Sequence, residues 1–352
     1  MWCELCLCHQ TAVCYECGKR AYREEVSYVS DNPICEGCFE ELCFNCEYCG
    51  RNYYNEDYGS DGYCRYCADE DKPTVRPDNR RYYIKSRYDL PVGVEIEAEG
   101  GDYSCVYDDL APKGFGVQTD GSLDSSGIEV QVPASNHGNT NGLVKQACQS
   151  LKSNGFGVSR RCGLHIHIEY PSRMKTIKRL LLMIYACEPV FHAVNPRSRY
   201  NGTYCQALRL AFKVSEILQA KPEDIDKLFY SKKYPTISRF KTVVRKLKKS
   251  KWNECRYFGL NLHSLFYQGT VEFRYHAGTI SPDKVTRWID FLKAILRYVK
   301  FHYDQQEVLR LMEQPTILSK INYLKEILKL KRSSTDYLIS RYIKFYVRNN
   351  LR

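Results

Sequence analysis

Val94-Glu95-Ile96-Glu97-Ala98-Glu99 alternates apolar and acidic residues, and three later stretches repeat the pattern: Ile128-Glu129-Val130-Gln131-Val132, Leu164-His165-Ile166-His167-Ile168-Glu169 and Val271-Glu272-Phe273-Arg274-Tyr275-His276. Side chains alternate along a strand, so Glu95, Glu97 and Glu99 share a face, as do Glu129 with Gln131, His165 with His167, and Glu272 with Arg274 and His276. A solvated sheet face normally carries Lys, Thr and Ser, and these faces carry no Lys. Carboxylates crowded among imidazoles are costly unless something cationic sits on them. Hard oxygen donors with open positions predict Mg²⁺ or Mn²⁺ holding a nucleotide's phosphates. One such stretch alone reads as a strand with a wet face; four that pair in one sheet predict a site.

Outward from the strands, apolar spacing predicts helices over 141–153, 173–193, 206–219, 222–230 and 236–250. Pro189 is expected to kink or end the second of these. The stripe from Val285 through Trp288, Leu292 and Ile295 to Val299 predicts another helix, Ile317, Ile321, Leu324 and Leu328 repeat it, and 336–347 forms a last one. The fold class is therefore α+β, a mainly antiparallel sheet backed by helices with its polar face open. The expected domains are a Cys-rich zinc domain over 1–72, a linker over 73–81, a catalytic core over 82–280 and a helical part over 281–352 packed on the core. Nothing approaches the roughly 20 apolar residues of a membrane span.

Four motifs follow one another in order. They are Gly93-Val94-Glu95-Ile96-Glu97; Thr119-Asp120-Gly121-Ser122-Leu123 with Gly127-Ile128-Glu129-Val130; Cys162-Gly163-Leu164-His165-Ile166-His167; and the run from Gly269-Thr270-Val271-Glu272-Phe273-Arg274 to Thr279. From about Val92 to Thr279 the chain resembles the amidoligases, a family of carboxylate-amine ligases with a glutamine-synthetase-like fold, grouped with glutamate-cysteine ligase. The resemblance implies ATP-dependent formation of an amide or isopeptide bond through an acyl phosphate, on a peptide or protein substrate. It implies that Glu95, Glu97 and Glu129 hold Mg²⁺ or Mn²⁺, that one of His165 or His167 completes a second metal site with Glu272, and that Arg274 meets the phosphate oxygens. His165, His167 and Arg274 are thus catalytic candidates. Asp120 would orient or deprotonate the amine, the alternative being an ordinary Asp-Gly turn. Asn261 and His263 in Gly259-Leu260-Asn261-Leu262-His263 alternate in the same way and are expected to line the nucleotide or acceptor site. Such chemistry needs positioning and charge neutralisation more than an enzymatic nucleophile.

Three weaker features complete this region. Arg197-Ser198-Arg199-Tyr200-Asn201 either offers guanidinium groups to a carboxylate or phosphate or is a surface loop. Cys162 reads as a structural thiol. The chain has no Gly-rich P-loop, so nucleotide binding rests on the acidic sheet.

Twelve of the 18 cysteines lie between Cys3 and Cys67. Cys14 and Cys17 with Cys35 and Cys38, then Cys46 and Cys49 with Cys64 and Cys67, have the spacing of two Cys₄ zinc sites in series and resemble a LIM-like or zinc-ribbon tandem. Cys3, Cys6, Cys8, His9 and Cys43 are left over for a third site, and cross-braced pairing stays open. No secretory leader is read, so thiols in a reducing cytoplasm, bacterial or that of a virus's host, are expected over disulfides.

Residues 1–72 hold 15 Asp and Glu against 6 Lys and Arg, a formal −9, within a chain of net +11. An acidic zinc module is a poor binder of phosphate backbones, so it reads as a protein-docking module or a metal-stapled cap. Basic residues gather at 239–251, either as a solvated helix end or as a surface for an acidic protein or polyanion. The alternative to a ligase is a zinc-containing protein- or nucleic-acid-binding protein whose metal site is inactive or differently used.

Overall fold

The computed structural model describes residues 11–29, 32–46, 51–59, 64–65, 73–83, 89–123, 127–136, 138–200, 202–235, 241–250 and 253–347. The chain divides into two compact units, Met1–Thr74 with Gln118–Gly127, and Val75–Val117 with Ile128–Arg352.

The first unit is a run of antiparallel hairpins. β1 (Thr11–Val13) pairs with β2 (Arg20–Tyr22), β3 (Val26–Val29) with β4 (Asn32–Cys35), and β5 (Cys43–Asn45) with β6 (Asn52–Tyr54). Helix α1 (Glu36–Leu42) follows β4 with Cys35 at its N-cap. The buried apolar clusters here are Cys14, Val29, Ile34 and Cys43, and Cys46 with Cys64. So small a core is the circumstance in which a structural metal is used.

The large sheet comprises β7 (Val92–Ala98), β8 (Gly116–Thr119), β9 (Ile128–Ser135), β10 (Gly163–Glu169), β11 (Leu260–Asn261) and β12 (Thr270–Ala277), in the order β11-β12-β10-β7-β9-β8. The pairings from β11 through to β9 are antiparallel. On one face Val94, Ile96, Val130, Leu164, Ile166 and Phe273 are buried. At about 1.5–3 kcal/mol for each buried aliphatic or aromatic side chain, this face fixes which way the strands present their polar residues. The fold is α+β, as the alternation and helical stripes predict.

Helices α2 (Tyr103–Leu110), α3 (Asn139–Ser153) and α4 (Met174–Ala193) follow β7, β9 and β10. Pro189 does not end α4. Its missing N–H frees the Tyr185 carbonyl, which instead accepts from Arg209 Nε at 3.1 Å. The helix expected over 206–219 is two pieces, α5 (Leu208–Ala211) and α6 (Val214–Gln219). The buried Glu188 carboxylate takes the Leu208 and Arg209 N–H groups at 2.6 and 2.8 Å, and Phe212, extended, packs its ring with Phe229 and Phe258. Helix α7 (Ile225–Ser231) starts from a 3₁₀ turn over Pro222–Asp224, and α8 (Lys241–Lys249) covers the described part of 236–250. Lys248 of α8 pairs with Asp226 at 2.5 Å and lies 4.5 Å from the centre of the Phe266 ring.

The chain then forms α9 (Leu262–Gln268), α10 (Pro282–Phe301), α11 (Gln305–Glu313), α12 (Ile317–Leu328) and α13 (Arg332–Tyr342), with a π turn over Ile343–Val347. Helices α3, α4 and α10 pack on the strands, and the expected stripes of α10 and α12 are buried except for Ile317, which is half-buried. No helix among the described residues is long and apolar enough to cross a membrane. The stretch read as a linker lies along the sheet edge: Val75 bridges Val117, the Asp78 N–H donates to the Gly114 carbonyl at 2.9 Å, and Asn79 Oδ1 accepts from the Ala134 N–H at 2.8 Å.

Candidate active site and metal centres

Strand register brings the acidic faces together. Glu97 stands opposite Glu129, Glu95 opposite both Gln131 and His165, and Glu272 opposite both His167 and Asn261. Glu95 is shared between the two imidazoles: His165 Nδ1 is 3.2 Å from one of its oxygens and His167 Nε2 is 3.3 Å from the other. His165 Nε2 reaches Glu97 at 3.4 Å, and Glu97 also accepts the Gly163 N–H at 2.5 Å. Gln131 donates to Glu129 at 2.7 Å, and Asn261 Nδ2 donates to Glu272 at 2.5 Å. Arg274 pairs with Glu272 through Nη1 and donates Nε–H to the Tyr204 carbonyl at 2.9 Å. Glu97, Glu129, His165, Asn261, Glu272 and Arg274 are all more than nine-tenths buried.

Burial alone would raise the Glu95 carboxyl, but the charge on His167 and bonds from both histidines hold it well below the carboxylate range. Burial likewise works against Glu272, and Arg274 and His167 outweigh it and lower the group. His167 is pushed up to about 9, because Glu95 and Glu272 overcome the desolvation that would lower it. Glu95 and Glu272 are thus held ionised around a protonated His167.

A divalent cation fits this donor set. One ligand atom from each of Glu95, Glu129 and His165 lies within 4.8 Å of the others, and the same holds for Glu95, His167 and Glu272. Octahedral coordination at about 2.1 Å spaces ligand atoms roughly 3 to 4.2 Å apart. Carboxylate oxygens suit Mg²⁺ or Mn²⁺, and an imidazole in each set moves the preference toward Mn²⁺.

The family model described as "Putative amidoligase enzyme" matches residues 97–296. The chain belongs to the amidoligase family. Amidoligases are by name amide-forming ligases. No curated protein matches the chain. Among solved structures it is similar to a bifunctional glutathione synthetase from Pasteurella multocida, at 11% identity and a TM-score of 0.37, over 73% of this chain and 48% of that one. The chain therefore spans about half the length of that protein.

Other residues of this amidoligase fall differently from the reading by alternation. His276 leaves the acidic face. Leu164 pairs with His276 and Ile166 with Phe273, so His165 stands opposite both Arg274 and Tyr275. This β-bulge inserts one residue and reverses the parity beyond it, which turns His276 toward Trp288 and Tyr337. His263 does not continue the alternation, because strand β11 ends at Asn261. Asn261 Oδ1 caps α9 by accepting the Ser264 N–H at 3.1 Å, and His263 meets the Tyr230 hydroxyl at 2.8 Å. Asp120 follows β8 and accepts from the Ser122 N–H and hydroxyl at 2.8 and 2.7 Å, the bonding of a tight turn. Cys162 is buried against Ser159, and burial raises its thiol.

In the first unit Cys14, Cys17, Cys35 and Cys38 bring their sulfurs within 4.8 Å of one another, with Cys17 and Cys35 at 3.7 Å. Tetrahedral Zn–S bonds of about 2.3 Å place sulfurs about 3.8 Å apart. The first pair lies in the β1–β2 turn, where Gly18 supplies the left-handed φ of 70°. The second pair straddles the start of α1. Burial opposes ionisation of Cys14, but backbone N–H bonds, including that of Cys35 at 3.3 Å, lower its thiol to about 6. The Cys64 N–H meets Cys46 Sγ at 3.2 Å in the same manner. Cys49 and Cys67 lie outside the described residues, as do Cys3, Cys6, Cys8 and His9. Cys43 is buried in the small apolar core.

Proposed function

We propose that the chain is an ATP-dependent carboxylate-amine ligase acting on a peptide or protein. A substrate carboxylate oxygen attacks the γ-phosphorus and ADP departs, leaving an acyl phosphate. The amine nitrogen then attacks the acyl carbon, phosphate departs, and the amine proton passes to a base. The observation that carries the reading is Glu95, one carboxylate common to two ligand sets on the polar face of the sheet. Bound there, divalent cations would neutralise phosphate charge. Glu95, Glu129 and His165 would hold one, and Glu95, His167 and Glu272 the other. Glu97 orients His165, and Asn261 and Arg274 orient Glu272 from either side. Arg274 would add positive charge where the phosphoryl group is transferred.

Zinc at Cys14, Cys17, Cys35 and Cys38, and a second ion involving Cys46 and Cys64, would staple the first unit. Its formal −9 suits docking of a basic partner or macromolecular acceptor. The test is phosphate release from ATP. It should require Mg²⁺ or Mn²⁺ and rise when an acceptor pool supplies carboxylate and amine, with mass spectrometry showing a product one water lighter than its parts. Absence of any metal-dependent ATP turnover would count against the reading.

A further inference from the structure

After α4, Pro196 opens a 3₁₀ turn over Arg197–Arg199 in which the two arginines part company. Arg197 is exposed, whereas Arg199 is 7% exposed. Arg199 Nη2 donates to the Arg274 carbonyl at 2.8 Å, and its Nε is buried with no hydrogen-bond partner. No carboxylate among the described residues comes within ion-pairing distance of it. Arg274 is already committed to Glu272 and to the Tyr204 carbonyl. A guanidinium carries five donors in a planar fork matched to oxyanions, so Arg199 keeps unused capacity.

That capacity lies at the site. A β-carbon on Gly163 would stand 2.6 Å from Arg199 Nη2, 2.8 Å from His165 Nε2 and 3.2 Å from Glu97 Oε2. Three polar groups thus close together over Gly163, an approach that only a residue without a side chain permits. Cations held by Glu95, Glu129 and Glu272 would leave few carboxylates on that face to balance a buried guanidinium, which favours an incoming anion.

We propose that Arg199 is an oxyanion-binding residue, whose guanidinium receives the phosphoryl or carboxylate oxygens of a reactant beside Glu97 and His165. The proposal rests on the ligase reading above, which supplies the anion. The competing role is structural: Arg199 would only tie its turn to the Arg274 carbonyl. That role needs one N–H donor and no charge, which Gln provides.

The full chain, saturated with Mg²⁺, is titrated with inorganic phosphate and separately with labelled acetate, and binding is followed by phosphorus and carbon NMR. Arg199→Gln should melt like the wild type and bind at least one of the two anions about 10- to 100-fold more weakly, with Arg199→Lys in between. Weakened phosphate binding assigns the residue to the phosphoryl group, and weakened acetate binding assigns it to the carboxylate. Should Arg199→Gln fail to fold, Arg199→Lys carries the comparison and should still bind more weakly. A folded variant that binds both anions as the wild type does would overturn the proposal. If that protein still turns over ATP, the ligase reading stands; a wild type that binds neither anion nor Mg²⁺ would remove both.

Discussion

Glu95 is the residue on which the site turns, because each of its oxygens faces a different histidine. Of the two sets built on Glu95, Glu129 would serve one and Glu272 the other. Glu129→Gln and Glu272→Gln should therefore each lower ATP turnover about 100-fold or more while leaving the melting temperature close to wild type, since such electrostatic stabilisation acts mainly on the transition state. Turnover at the wild-type rate in both, measured by phosphate release, would remove these residues from the site. His276 makes a separate prediction. Burial, and then Arg341, holds it well below its ordinary value, with Arg199 and Lys284 adding positive charge and Tyr337 bonded to its Nε2. The unfolded chain, near 6.5, binds the proton first. Stability should thus be full above about pH 6.5 and fall by about 1.4 kcal/mol per pH unit below it. Urea unfolding of His276→Gln should show a shallower acid limb by that amount; parallel limbs would show His276 to be irrelevant.

At the scale of elements, strand β12 ends where the chain closes on itself. The Gly278 N–H donates to the Cys162 carbonyl at 2.7 Å, and a β-carbon there would stand 2.5 Å from the Cys162 β-carbon. Gly278→Ala should cost about 1–3 kcal/mol by overpacking, read as a lower urea midpoint with unchanged slope. An unchanged midpoint would show that the strand end yields freely. The four acidic strands were legible in the sequence because period-two alternation is a local signal, and it placed Glu95, Glu97, Glu129, His165, His167, Glu272 and Arg274 on one face. The bulge that removes His276 was not legible, since an inserted residue is defined only by the partner strand. Nor was the end of β11, where Asn261 serves at once as helix cap and as donor to Glu272. Arg199 was not legible for the same reason: the carbonyl it donates to belongs to Arg274, far along the chain.

At the scale of the molecule, the first unit has a four-cysteine cluster and a small apolar core, and the second a large apolar core. Metal analysis should find at least two Zn²⁺ per chain, and chelation under reducing conditions should unfold the first unit while the melt of the second persists. A first unit that stays folded without metal would contradict this. The central claim is that the acidic face is a paired metal site for a nucleotide. It is tested most directly by titrating zinc-loaded protein with Mn²⁺ in the presence of a non-hydrolysable ATP analogue and counting bound ions by electron paramagnetic resonance. The account predicts two Mn²⁺ per wild-type chain, with both weakened in Glu95→Gln; no bound Mn²⁺, or equal binding by the variant, would contradict it.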